Sequence, residues 1–518
     1  MNKKKSFLIF LIILIPIIIF AWIFISIGKA IFSIDFNQFI PEYNEGSNNE
    51  IDNEIDIERN NNIEAKIYTK EELKVLLKNK IKEKNYSELA STFIMDLFER
   101  LYVTYPKWQQ AYKDLPDISL FIVDNLINPL TYLESIELYP DGSEESKEIA
   151  KIGLGYTESG EDEKLHIKLI YDPYKKSSEE KHLSNLEALF HEIIHGKQMG
   201  YQIKLNEDTL TPKSETLFSV FIEGGATYNS RFASEYDAPP KTSIGFCNSS
   251  EKTCINYDKE SGNGVDYILY MYAYEKMSYF LGYDTMNQLE QGLISEDKID
   301  YLLKQKTGED ILTIISLACN TDDKDSALEN LIKLEKIFLE DIKKDINNLD
   351  SYEKVKKYID VYHNFKMKSF PKYGSKELIY KDKDDKFNSY FDIDSLDNLL
   401  VDKIIKYKVF NTFSSNNDLN RMAIKTLLNG NKYRYFEFNN IYESIQLPFH
   451  IDKVKYYYEE KGSNASLILT YPSKDECLVD YKGTVYLKIA FNKNKITSIK
   501  GVDPKKYANK KYKSVFNK

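Results

Sequence analysis

One stretch constrains this chain more than any other. Residues Ser184–Gly200 read SNLEALFHEIIHGKQMG and contain His191-Glu192-Ile193-Ile194-His195. On an α-helix, side chains four residues apart share a face. His191 and His195 would then present two imidazoles to one point, an arrangement zinc accepts. Glu192 follows the first imidazole and could take a proton from a zinc-activated water. Ser184 and Glu187 have the spacing of a capping box. Leu186, Leu189, Phe190, Ile193, Ile194 and Met199 supply more apolar positions than a single stripe needs. The pattern predicts a central helix opening at Ser184 and stopping at Gly200.

Two imidazoles do not complete a catalytic zinc site, which takes three protein ligands and keeps one position open. The metzincin extension HExxHxxGxxH fails, because position 198 is Gln198 and position 201 is Tyr201. A carboxylate from a second helix is the alternative, and Phe221-Ile222-Glu223-Gly224-Gly225-Ala226-Thr227-Tyr228 provides Glu223. Glycine inside a helix costs about 1 kcal/mol relative to alanine. Gly224-Gly225 therefore predicts a place where the backbone approaches the site or a neighbour closely.

With HEIIH and FIEGGATY on one chain, the sequence resembles the gluzincin metallopeptidases, and the ligand spacing is similar to that of bacterial collagenases. The resemblance covers about residues 70–345, and its specific part is confined to two helices. It implies a thermolysin-like zincin domain, mostly helical with a small sheet. It implies His191, His195 and Glu223 as ligands of a Zn²⁺ cofactor and Glu192 as general base. It also implies an edge strand, here KLHIKLIYDP at 164–173, that pairs with extended substrate. Such enzymes place a donor at the oxyanion. Tyr228, Tyr267, Tyr270 and Arg231 are the candidates, and the helix following the ligands favours Tyr267 and Tyr270. The regions flanking the likeness do not match the collagenases.

The chain has 518 residues, 42% of them hydrophobic, enough for more than one domain. A net charge of −10 argues against a general nucleic-acid binder. Of the four cysteines, Cys247 and Cys254 bracket the polar loop CNSSEKTC, where a local disulfide is expected if the loop lies outside the cell. Cys319 ends the apolar run ILTIISLAC and is expected in a core. His166, His182, His363 and His450 lack ligand-like spacing and are expected to be surface or structural residues.

Residues 6–27, SFLIFLIILIPIIIFAWIFISI, carry no charge and follow three lysines. At about 1.5 Å per residue they span about 33 Å, the length of a bilayer crossing. The expectation is an uncleaved anchor with the N-terminus cytoplasmic and the rest outside the cell. The organisation expected is a cytoplasmic tip and transmembrane helix (1–30), an acidic Asn-rich linker (31–68), a metallopeptidase domain (69–350) and a separate small α+β domain with an antiparallel sheet (351–518). The fold class expected is thus α+β.

Together these features predict a membrane-anchored, extracellular zinc metalloendopeptidase. Its partners would be a peptide or protein substrate and, through the N-terminal helix, a lipid bilayer; nucleic acid is not expected. The alternative from another class is a surface binding or adhesion protein with an inactive metallopeptidase-like domain. The intact Glu192 argues against it. Intramembrane proteolysis would need the motif inside an apolar span, and charges stand close on both sides of HEIIH.

Overall fold

A computed structural model describes residues 67–109, 115–151, 153–159, 164–171, 179–204, 212–233, 247–248, 253–254, 265–319, 324–368, 393–428, 436–438, 441–443, 451–472, 484–493 and 495–517. They combine helix and sheet in two compact units. The first takes in the described residues of 1–98 and 119–210, the second those of 99–118 and 211–518.

The first unit opens with α1 (Lys70–Lys84). Thr69 and Glu72 cap it reciprocally: Thr69 Oγ1 accepts from the Glu72 amide at 3.3 Å, and Glu72 Oε2 accepts from the Thr69 amide at 2.8 Å. Leu73, Leu77 and Ile81, spaced by four, form its buried face. Of helix α2 (Glu88–Gln109), the residues up to 98 belong to this unit, and a π-turn (Val123–Ile127) and a 3₁₀ turn (Pro129–Thr131) follow in it. Three strands come next: β1 (Leu133–Pro140), β2 (Gly155–Ser159) after the short α3 (Glu144–Ile149), and β3 (Leu165–Tyr171). Their order is β1-β3-β2, with β3 parallel to β1 and antiparallel to β2. Leu165, Ile167 and Leu169 alternate along β3 and are buried, as a strand covered on that face requires. The strand expected at the sheet edge, β3, is therefore its centre, because both sides of its ladder are paired; β1 and β2 are the edges.

Helix α4 (Glu179–Lys204) carries the HEIIH motif. It begins five residues before Ser184 and runs four beyond Gly200, so neither predicted boundary marks an end. Tyr201 explains the extension, since it is only 4% exposed. Burying an aromatic ring outweighs the roughly 1 kcal/mol that a helical glycine costs. Leu186, Leu189, Phe190, Ile193, Ile194 and Met199 are all buried along the same helix.

The transmembrane helix expected from the sequence requires correction, and with it the single-pass membrane location. Among the described residues no helix is long and apolar enough to cross a membrane. A crossing takes about 20 mostly apolar residues. Even α4, with 26 residues, carries glutamate and lysine through its length. The apolar run at 6–27 and the acidic stretch up to residue 66 lie outside the described residues.

The second unit begins with a continuous rod of α5 (Pro212–Ser219), a π-turn (Val220–Gly224), α6 (Gly225–Ser230) and a 3₁₀ turn (Arg231–Ala233). A two-residue ribbon, β4 (Cys247–Asn248) with β5 (Thr253–Cys254), sets the backbones of Cys247 and Cys254 directly opposite each other; their side chains, and so the expected disulfide, lie outside the described residues. Helix α7 (Val265–Leu281) buries Leu269, Tyr272, Tyr274 and Met277 and ends at Gly282, whose φ of +80° suits glycine. Next come α8 (Tyr283–Glu290), α9 (Glu296–Thr307), α10 (Ile311–Ala318), α11 (Lys324–Asn347), α12 (Tyr352–Lys368), α13 (Ile393–Lys406) and α14 (Asn417–Leu428). Cys319, after α10, is buried. The carboxylate of Glu335 on α11 is 1% exposed, with the Lys276 ammonium at 3.6 Å and the Tyr272 hydroxyl donating to it.

A small hairpin, β6 (Phe436–Phe438) with β7 (Ile441–Glu443), precedes an antiparallel sheet. That sheet is built from β8 (Lys455–Lys461), β9 (Asn464–Pro472), β10 (Thr484–Asn492), β11 (Lys495–Gly501) and β12 (Lys513–Ser514), in the order β11-β10-β9-β8-β12. Its helical neighbour α12 carries Asp360, which accepts a hydrogen bond from the Ile451 amide at 3.1 Å. Burial lifts the Asp360 carboxyl from 3.8 to about 7. Between about pH 4 and pH 7 the folded chain therefore holds this proton more tightly than the unfolded chain, and this group's contribution to stability falls as pH rises through that window. Asp360→Asn keeps an acceptor for the Ile451 amide. It is expected to abolish that decline and to stabilise the protein at pH 8 by on the order of a few kcal/mol. Denaturant midpoints at pH 4.5 and pH 8 check this; equal pH dependence in the two proteins would refute it.

Candidate metal centre

The site is organised on α4. Its pitch sets the rings of His191 and His195 edge to face, with centroids 4.9 Å apart. His191 and His195 belong to the first unit, and Glu223, the third donor expected from the sequence, belongs to the second. Two imidazoles and a carboxylate are a donor set that zinc takes. The second partner of His195 supports this. Its Nδ1 lies 2.9 Å from Oε1 of Gln198, which is fully buried. An amide oxygen only accepts, so Nδ1 carries the proton and Nε2 keeps its lone pair for a cation.

Glu192 is 7% exposed, and the Thr157 hydroxyl on β2 donates to its Oε2 at 2.8 Å. One turn along α4, the buried Lys197 donates to Asn125 Oδ1 at 2.9 Å, and Asn125 in turn donates to the Phe121 carbonyl. Between these residues, Gly196 lets the helix meet the turn at Pro129. A Cβ added there would stand 2.8 Å from the Pro129 carbonyl oxygen.

Glu223 sits in the π-turn that interrupts the rod of the second unit. Single π-turns widen a helix locally and recur where a side chain must be re-aimed. The glycine after it has a measurable reason. A Cβ on Gly224 would lie 2.5 Å from the Tyr270 carbonyl oxygen of α7. The close backbone approach expected from Gly224-Gly225 is thus with α7.

The candidates for an oxyanion donor are placed as follows. Tyr228 is 3% exposed, its ring packed against Phe232 and Tyr274, with the Arg231 guanidinium 4.3 Å over it. Burial pushes the Tyr228 phenol up to about 12. Arg231 is also buried and pairs with Glu275 at 3.3 Å. Both are committed to the interior of their own unit. Tyr270 is half-buried on α7, and Tyr267 stands on the first turn of that helix with its side chain outside the described residues. His166 is hydrogen-bonded to Ser135 at 2.9 Å, and His182 approaches Asp96 at 3.3 Å; the side chains of His363 and His450 lie outside the described residues.

Sequence reasoning passed over Thr157, Gln198 and Asn125. Gln198 had a readable signal, since a residue three after a helical histidine lies on its face. Thr157 had a fainter one, as a polar residue on a strand face whose cross-strand neighbour, Ile167, is wholly buried.

No protein-family model matches this chain. Neither a curated protein nor a solved structure matches it.

The two close glycine contacts make a prediction. Gly196→Ala and Gly224→Ala should each destabilise the protein by about 1–3 kcal/mol, although alanine is the better helix former. Thermal unfolding measures this, and an unchanged or raised Tm in either variant would refute the contact that motivates it.

Proposed function

We propose that this chain is a zinc metallopeptidase of gluzincin type, hydrolysing peptide bonds in a peptide or protein substrate. The observation that carries the reading is the pair of imidazoles one turn apart on α4, ring centroids 4.9 Å apart, with a buried carboxylate, Glu192, next to the first of them on the same helix. His191, His195 and Glu223 would hold the zinc. A zinc ion in this position supplies a Lewis acid that polarises a carbonyl and lowers the pKa of water toward neutrality. Glu192 takes the proton from the attacking water and delivers it to the departing amine, so one carboxylate serves as base and then as acid. The Gln198 contact keeps His195 in the tautomer that presents Nε2 to a cation.

The reading is tested on the purified chain by elemental analysis and by cleavage of a mixed peptide library. Wild type is expected to hold one zinc per molecule and to cleave, with cleavage stopped by a chelator. His191→Ala should lose the metal. Glu192→Ala should keep the metal and lose about 10²–10⁴-fold in rate, the usual contribution of a positioned acid–base group. A wild-type protein that holds no zinc, or a Glu192→Ala protein with an unchanged rate, would overturn the proposal.

A further inference from the structure

We infer that Thr157 is a positioning residue for Glu192, and this inference rests on the peptidase reading above. Strand β2 is an edge of the three-stranded sheet, with Gly155, Thr157 and Ser159 alternating onto one face. Thr157 lies opposite Ile167, which is fully buried, and Leu165 and Leu169 continue that apolar face on β3. A hydroxyl on such a face needs a polar partner. Thr157 finds it in Glu192: Oγ1 is 2.8 Å from Oε2 of the carboxylate and 3.3 Å from the Glu192 backbone carbonyl oxygen.

Threonine carries one hydroxyl proton. The shorter contact takes that proton to Oε2, which fixes the carboxylate plane and leaves Oε1 as the oxygen open to a water. A β-branched residue suits the task, because its χ1 is restricted and the hydroxyl is aimed rather than free to turn. Gly155 completes the arrangement. A Cβ there would stand 3.0 Å from the Lys168 carbonyl oxygen, tighter than a side chain usually sits, so glycine suits the close pairing of β2 with β3. The carboxylate is thus oriented from a strand 35 residues away in the chain. A misplacement of about 1 Å at a reacting group can cost on the order of 100-fold in rate.

The test compares Thr157→Val and Thr157→Ser with wild type on a single peptide substrate found by the library. Valine matches threonine in shape and suits the apolar face, so the fold is kept while the donor is lost. The expected result is a tenfold or greater fall in kcat for Thr157→Val, with KM and zinc content unchanged, and a kcat within about threefold of wild type for Thr157→Ser, which keeps the donor. A merely structural role for Thr157 would lower zinc content or raise KM, and serine would not rescue it. Undiminished kcat in Thr157→Val, or equal losses in the valine and serine variants, would overturn the inference while leaving the peptidase reading standing. A wild-type protein without zinc or cleavage would instead remove that reading, and the role of Thr157 with it.

Discussion

Helix α4 must be buried and polar at once, and the first unit is arranged around that demand. Its apolar residues put the middle of the helix out of water. Glu192, His195, Lys197 and Gln198 go with them, each less than a tenth exposed. A polar group buried without a partner costs roughly 1–3 kcal/mol, and more when charged. Each of the four is therefore answered by a specific neighbour: Thr157 for the carboxylate, Gln198 and His195 for one another, Asn125 for the ammonium. The partners come from a strand, from the helix itself and from a π-turn. The unit has that particular mix of elements because no single one could supply them all.

The rod of the second unit solves a related problem by a different route. There the demand is for two helical backbones to touch, and the side chain that would keep them apart is removed at Gly224. The π-turn at Val220–Gly224 takes up an extra residue within the rod and carries Glu223. The close packing at Gly224 and the position of Glu223 thus fall within the same few residues. Tyr228 and Arg231, one turn later, take up the interior of that unit and are held there by ring stacking and an ion pair.

How much of this was legible in the sequence follows from the range of each interaction. The shared face of His191 and His195 depends only on helical pitch, so the five letters HEIIH disclosed it. The glycine pair after Glu223 disclosed a close approach, though not which backbone would approach. Helix ends were poorly legible: Ser184 and Gly200 are good terminal residues, yet the burial of Tyr201 carried α4 past the second. The place of β3 in its sheet could not be read from its alternation, because an edge strand and a central strand can share one pattern, and only the partner distinguishes them. Thr157 is the extreme case, since its meaning depends on a residue in another element. Tyrosines were least legible of all. In a chain with 40 of them, a phenol that serves chemistry and one that fills a core are the same letter.

The contact between Thr157 and Glu192 has a consequence for partial unfolding. Domains open piecewise, and short edge strands are among the first segments to detach. His191 and His195 belong to one helix and would keep their spacing if β2 lifted away. The carboxylate would then lose its orienting donor while both imidazoles stayed in place. A population of molecules could therefore remain competent to capture a cation while being unable to move a proton usefully. On the proposed peptidase reading, ion content and turnover would part company under mild heat or denaturant, well before the helix itself melts.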